Sequence, residues 1–295
     1  MLFGIFSGCT AAVMQSVSYI FSRHFVSRHK SPVYLAIYSQ IVMGIFGTVL
    51  FFICLGFISF PCTLKYYLLG CAWMITYVSA QTSFFQALKT VEASRLSSLL
   101  GTKVIALALL SAVFGASFSA MRWAAVVLCT VAAVGMNFSG EKLSSKSIFW
   151  IAMAVVSYAL CDLSCTEMVN MMPGDNMLYK SLGVVAVSYS ALGLFSLPAL
   201  CFIPRRMVYF RDAAAFGATW FMSMIFLMVA FGSLGVVFGT ILQSGRGIVS
   251  VVIGAVLLYF GYNNLEPRVG KRKWMQRLCM AVLMLTAMTV YAMGK

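Results

Sequence analysis

Two short stretches decide the reading of this chain: Leu99-Leu100-Gly101-Thr102-Lys103-Val104-Ile105, and Leu242-Gln243-Ser244-Gly245-Arg246-Gly247-Ile248, which lies 143 positions later. Each sets one cation among small residues inside a long apolar run. At the same offset Thr76-Tyr77 falls on Thr219-Trp220, Ala87-Leu88 on Ala230-Phe231, and Ala112-Val113 on Ala255-Val256. Nearer the start of each half the offset is 139, where Val17-Ser18-Tyr19 falls on Val156-Ser157-Tyr158, and then 141, where Tyr38 falls on Tyr179. Small loop insertions account for the drift. A repeat period of this length, with equivalent cations, predicts two related halves, residues 1–141 and 142–295, joined near Glu141.

Working outward, the whole chain is apolar. Of 295 residues, 62% are hydrophobic and 9% are charged, where a soluble domain carries about 25% charged residues. No soluble fold of this size buries so much apolar surface. That excludes a soluble enzyme, a nucleic-acid-binding domain and a disordered chain. Continuous apolar runs of about 20 residues are helical spans, because barrel strands are about half as long and alternate in polarity. Ten such spans are predicted, at 2–22, 33–57, 66–87, 93–114, 120–138, 147–169, 177–203, 213–231, 235–260 and 274–293. Breaks fall at Ser31-Pro32, Pro61, Pro173-Gly174 and Pro204-Arg205-Arg206. Phe6-Ser7-Gly8-Cys9 faintly resembles a lipoprotein cleavage box, but no Lys or Arg precedes it, and the stretch reads as an uncleaved first span. The expected fold is an all-α polytopic membrane protein with ten transmembrane helices. Five spans per half is an odd number, so the halves are expected to insert upside down relative to each other, as two inverted five-helix repeats.

The net charge of +14 reads as topology. Loops after the odd spans, with the span ends beside them, hold 15 Lys or Arg against four on the other side, which puts the odd loops in the cytoplasm and both termini outside. His24 and His29, flanked by Arg23, Arg28 and Lys30, read as lipid-headgroup contacts. The nine cysteines lack metal-ligand spacing and read as buried apolar side chains.

Ionisable residues inside spans are expensive and mark functional sites. Lys103 and Arg246 sit at equal depth in spans four and nine, and Asp162 lies in the middle third of span six. Facing one another across a cavity, the two cations would attract a carboxylate or phosphate on a metabolite. Alternatively, one of them pairs with Asp162 as a structural bridge between helices. Asp162 is the coupling candidate. Gln15, Gln40, Gln81, Gln86 and Gln243 can line the cavity, and Tyr77 and Trp220 suit stacking on a flat ligand. The expected substrate-binding set is Lys103, Arg246, Tyr77, Trp220, Gln81 and Gln243. No nucleophile-base set, metal motif or nucleotide-hydrolysing segment is present, so neither enzyme activity, nor a cofactor, nor ATP-driven transport is expected of the chain itself.

Ala87-Leu88-Lys89-Thr90-Val91-Glu92-Ala93-Ser94 and Ala230-Phe231-Gly232-Ser233-Leu234-Gly235-Val236-Val237 both resemble the turn before the fourth helix of each repeat in the EamA-like branch of the drug/metabolite transporter superfamily. One departure is Phe114-Gly115-Ala116-Ser117, where that family usually has a Gly-Glu pair. The resemblance implies a secondary transporter, exporter or exchanger, of a small polar metabolite working by alternating access. It also implies cytoplasmic termini, opposite to the loop charges, and superfamily relatives that carry sugar phosphates have basic residues in the matching helices. Expected partners are a small-molecule metabolite, the lipid bilayer, and H+ or a counter-substrate; nucleic acid is not one. The chain would act as a monomer or homodimer in a cell membrane, the bacterial inner membrane being favoured. The rival reading is a membrane scaffold or regulatory subunit that keeps the fold without transport. A water-lined cleft with unpaired charges favours the transporter, and tight ion pairs with no cleft favour the scaffold.

Overall fold

The structure is a computed structural model that describes residues 1–91, 95–96, 99–136, 143–249, 252–253 and 271–294. Among the described residues there are ten helices and no strand. They are α1 (Leu2–His29), α2 (Pro32–Cys54), α3 (Leu64–Ala87), α4 (Leu100–Val113), α5 (Ala120–Gly135), α6 (Ser145–Met171), α7 (Met177–Ser196), α8 (Met207–Leu234), α9 (Val236–Val249) and α10 (Lys271–Met293). Most of the start of the predicted fourth span, most of the end of the ninth, the join near Glu141 and part of the basic loop before α10 lie outside the described residues.

Capping side chains set most of the helix starts. Ser31, Thr63, Ser119 and Ser144 each accept from the backbone N–H three residues on, and Asn176 accepts from Leu178. Pro32 follows its cap at the first helical position, where a missing N–H costs nothing. α8 ends and α9 begins at Gly235, whose φ of 84° is open to glycine and strained for other residues. Six helices are long and apolar enough to cross a membrane: α1, α2, α6, α7 with its 3-10 extension to Cys201, α8, and α10 from Met275. The helices Leu100–Val113, Ala120–Gly135 and Val236–Val249 are shorter and apolar. α3 is 24 residues long and interspersed with Thr76, Ser79, Gln81 and Ser83.

The helices pack in antiparallel pairs. α1 lies on α8, with Gly4 against Ser233 and Leu234 at one end and Arg28 on Asp212 at the other. α3 lies on α6, joined by Ser79 to Ser157 at 3.1 Å and Thr90 to Ser147 at 2.9 Å. α5 runs against α10, where Ser119 donates to the Gly294 carbonyl and Gln276 to that of Gly135. α2 crosses α7 at Gly44 and Gly193, whose backbones touch.

That crossing has no room for a side chain. A Cβ on Gly44 would fall on the Cα of Gly193, and one on Gly47 would meet the backbone of Tyr189 and Ser190. Small residues permit this approach in a membrane, where close packing replaces the hydrophobic drive between helices. Gly44→Leu is therefore expected to force α2 from α7 and destabilise the protein by about 3 kcal/mol or more. Thermal denaturation in detergent checks this, and an unchanged midpoint would contradict the close crossing.

Two buried clusters divide the core. The larger is built from α1, α2, α3, α6, α7 and α8, and the smaller centres on α4, α5, α9 and α10. The seam between α2 and α8 is sealed: a Cβ on Gly217 would meet Val42, the Phe46 and Phe221 rings lie 5.8 Å apart, and Tyr38 donates to the Pro204 carbonyl at 2.7 Å. Between α2, α3 and α7 there is instead an open cleft of about 880 Å³, lined by residues including Gln40, Val78, Phe85, Gln86 and Ser196.

One local expectation is corrected. His29 is half-buried, and its Nε2 lies 2.8 Å from Asp212 Oδ2, which also accepts from Arg28 at 2.9 Å. Its ring packs against Phe25 and Tyr209. α8 begins at Met207, a turn and a half before the predicted span, and so carries Asp212 up to the end of α1.

Candidate functional site

The site lies where the two buried clusters meet. α4 changes there from a 3-10 turn, Leu100–Thr102, to a regular α-helix starting at Lys103. α9 is interrupted at Gly245, just before Arg246. The small residues read from the sequence are thus the places where both helices lose regularity. Gly101 is needed for packing, since a Cβ there would stand 2.8 Å from that of Ala133.

Lys103, Asp162 and Arg246 are each no more than 4% exposed. Lys103 makes an ion pair with Asp162 and also donates to Gln243 Oε1 at 2.8 Å. Gln243 Nε2 donates to Gln15 Oε1 at 2.9 Å, and the same oxygen accepts from Arg246 Nη1 at 3.1 Å. Arg246 Nη1 further donates to the Tyr19 hydroxyl at 3.2 Å, with its guanidinium over the Tyr19 ring. The result is one continuous chain, Asp162–Lys103–Gln243–Gln15–Arg246–Tyr19, crossing from α6 to α4, α9 and α1. Among the described residues no carboxylate forms an ion pair with Arg246. Its Nε has no hydrogen-bond partner, and neither do Gln15 Nε2 and the Tyr158 hydroxyl.

These groups surround a cavity of about 350 Å³ of space between atoms, lined by Gln15, Tyr77, Lys103, Tyr158, Cys161, Asp162, Trp220, Met224, Leu227, Gln243 and Arg246. The side chains subdivide it so that a water-sized occupant fits without movement. The form described is closed.

Of the residues singled out from sequence, Lys103, Asp162, Arg246, Gln15, Gln243, Tyr77 and Trp220 line this cavity. Gln81 stands one layer back, donating to the Tyr77 hydroxyl at 3.0 Å. Gln40 bonds Ser196 and lines the other cleft, with Gln86. Tyr19, Tyr158, Cys161, Met224 and Leu227 were not singled out. The match of Val17-Ser18-Tyr19 to Val156-Ser157-Tyr158 held the signal for both tyrosines, just as the Tyr77 and Trp220 equivalence did for that pair. Nothing in the sequence distinguishes Cys161, Met224 or Leu227 from ordinary core.

Comparison with known proteins adds two findings. The model of the EamA-like transporter family matches residues 2–138. One solved crystal structure of a protein aligns with 97% of this chain and 95% of its own, at a TM-score of 0.67 and 15% identity; at that identity the likeness is one of fold. No curated protein matches the sequence. Residues 2–138 thus belong with the EamA-like transporter family of the drug/metabolite transporter superfamily, a family of multi-pass membrane proteins that act as secondary transporters of small molecules and not a family of enzymes.

Proposed function

We propose that the protein exports or exchanges a small anionic metabolite by alternating access, with residues 1–141 and 142–295 as two inverted five-helix halves and Arg246 as the group that holds the substrate. The observation that carries this reading is the pairing pattern. Asp162 is taken by Lys103, so Arg246 is a buried cation with hydrogen bonds but no acid partner among the described residues. Such a charge costs several kcal/mol in a membrane interior, and an anionic ligand offsets that cost. Tyr77, Trp220 and Gln243 complete the lining, Gln81 supports Tyr77, and Lys103–Asp162 is the coupling pair. A proton delivered to Asp162, or a counter-substrate, would release Lys103. The pairing of helices supports inversion, because α1 on α8 becomes α6 on α3 when the halves are exchanged. The sealed α2–α8 seam against the open cleft beside α3 and α7 supports a molecule caught in one of two arrangements.

A scaffold that has lost transport would keep the Lys103–Asp162 pair but has no use for Arg246. Cys161 separates the two readings, since it lines the closed cavity and is 1% exposed. In a variant with serine at the exposed Cys9, Cys62, Cys71, Cys201 and Cys279, N-ethylmaleimide should label Cys161 over minutes in native membranes as the cavity opens. No labelling over hours in folded protein would favour the scaffold.

A further inference from the structure

Charge and hydrogen-bonding capacity at the cavity narrow the substrate further. Lys103 and Asp162 cancel each other wherever their shared proton sits, which leaves the single positive charge of Arg246. Three acceptors of the network are engaged: Asp162 Oδ2 and Gln243 Oε1 take Lys103, and Gln15 Oε1 takes both Gln243 and Arg246. Arg246 Nε, Gln15 Nε2 and the Tyr158 hydroxyl are buried without a partner, and all three belong to residues that line the same cavity.

The orientation of the Gln15 amide follows from its neighbours. Its oxygen receives two donors, and a flipped amide would turn an NH₂ group against both. Gln15 Nε2 is thereby left as a donor without a partner on a residue of the cavity wall, and a neutral Gln at this position keeps Arg246 from being neutralised. The rest of the wall is Tyr77, Cys161, Trp220, Met224 and Leu227. It offers apolar surface and aromatic faces.

The geometry points to a monocarboxylate with an uncharged, apolar body as the substrate, its carboxylate held by Arg246, Gln15 Nε2 and the Tyr158 hydroxyl. This rests on the reading of Arg246 as the substrate-holding cation. Two oxygens sharing one negative charge match three donors and one cation. A phosphate dianion brings a second charge that nothing at the wall balances, and an ammonium group would have to compete with Lys103 for the charge of Asp162.

Titration calorimetry on purified protein tests the assignment with butyrate, octanoate and 3-phenylpropanoate, against 3-phenylpropanol, phenylalanine and phenyl phosphate. At least one monocarboxylate should bind saturably and more tightly than the alcohol, the amino acid and the phosphate. Tyr158→Phe should weaken it roughly ten-fold at an unchanged melting temperature, because that hydroxyl bonds nothing in the closed form. Gln15→Glu should abolish binding by placing a carboxylate on Arg246. If phenyl phosphate or phenylalanine binds more tightly than every monocarboxylate, through Arg246, the assignment is wrong and the anion reading stands. If no anion binds in an Arg246-dependent way, both are wrong. Equal binding of the monocarboxylate by Tyr158→Phe and wild type would remove Tyr158 from the cradle.

Discussion

Arg246→Gln is expected to lower affinity for an anionic substrate by about 100-fold or more, roughly 3 kcal/mol, while the protein still inserts and folds. Both halves of that result come from the surroundings of Arg246. Its guanidinium is buried and held only by the neutral Gln15 and Tyr19, so removing it leaves no unpaired charge behind. A glutamine retains a donor for Gln15, and the cavity loses its one uncompensated cation. Arg246→Lys should fall between, with about a ten-fold loss. An ammonium supplies the charge and can replace Nη1 on Gln15 and Tyr19, but it lacks the other nitrogens of the guanidinium, of which Nε has no partner in the closed form. Titration of binding together with size-exclusion of the detergent-solubilised variants checks both arms. Loss of folding in Arg246→Gln would mean that the arginine is structural.

Asp162→Asn should have the opposite profile. It strips Lys103 of its ion-pair partner inside the closed cavity, and breaking a buried pair from one side costs about 3–5 kcal/mol. The variant should melt well below wild type or fail to accumulate. Lys103→Met combined with Asp162→Leu should recover most of that loss, because replacing a buried pair by apolar groups is often neutral or better. The two functions then separate: the double variant should still bind the anion at Arg246, but transport should lose its coupling. A double variant that transports with unchanged dependence on pH and on counter-substrate would show that the pair is only a bridge. Melting curves and flux at several pH values decide between these outcomes.

The breaks and apolar runs made the ten helices legible, because each is a local property: Ser31-Pro32, Pro173-Gly174 and Pro204 end or start helices wherever they occur. That Lys103, Arg246, Tyr77 and Trp220 belong together was legible, because they fall on one another at an offset of 143 residues, and these four side chains line one cavity. Which cation takes Asp162 was not legible. That depends on the rotation of α6 and the reach of two long side chains, and sequence spacing constrains neither. The same holds for His29 on Asp212, where α8 extends further than hydropathy suggested because Met207, Val208 and Phe210 continue the helix ahead of the acid. Gln15 was visible only as one polar residue among several. Its place between Gln243 and Arg246 exists only once α1 and α9 are packed.

Uptake into proteoliposomes by exchange is the most direct test. Vesicles loaded with an unlabelled monocarboxylate that binds the purified protein, and diluted into the same compound in labelled form, should accumulate label transiently above its external concentration with wild-type protein. They should show only the level of protein-free vesicles with Arg246→Gln. Equal accumulation by the two proteins would contradict the assignment of Arg246 as the group that holds the substrate.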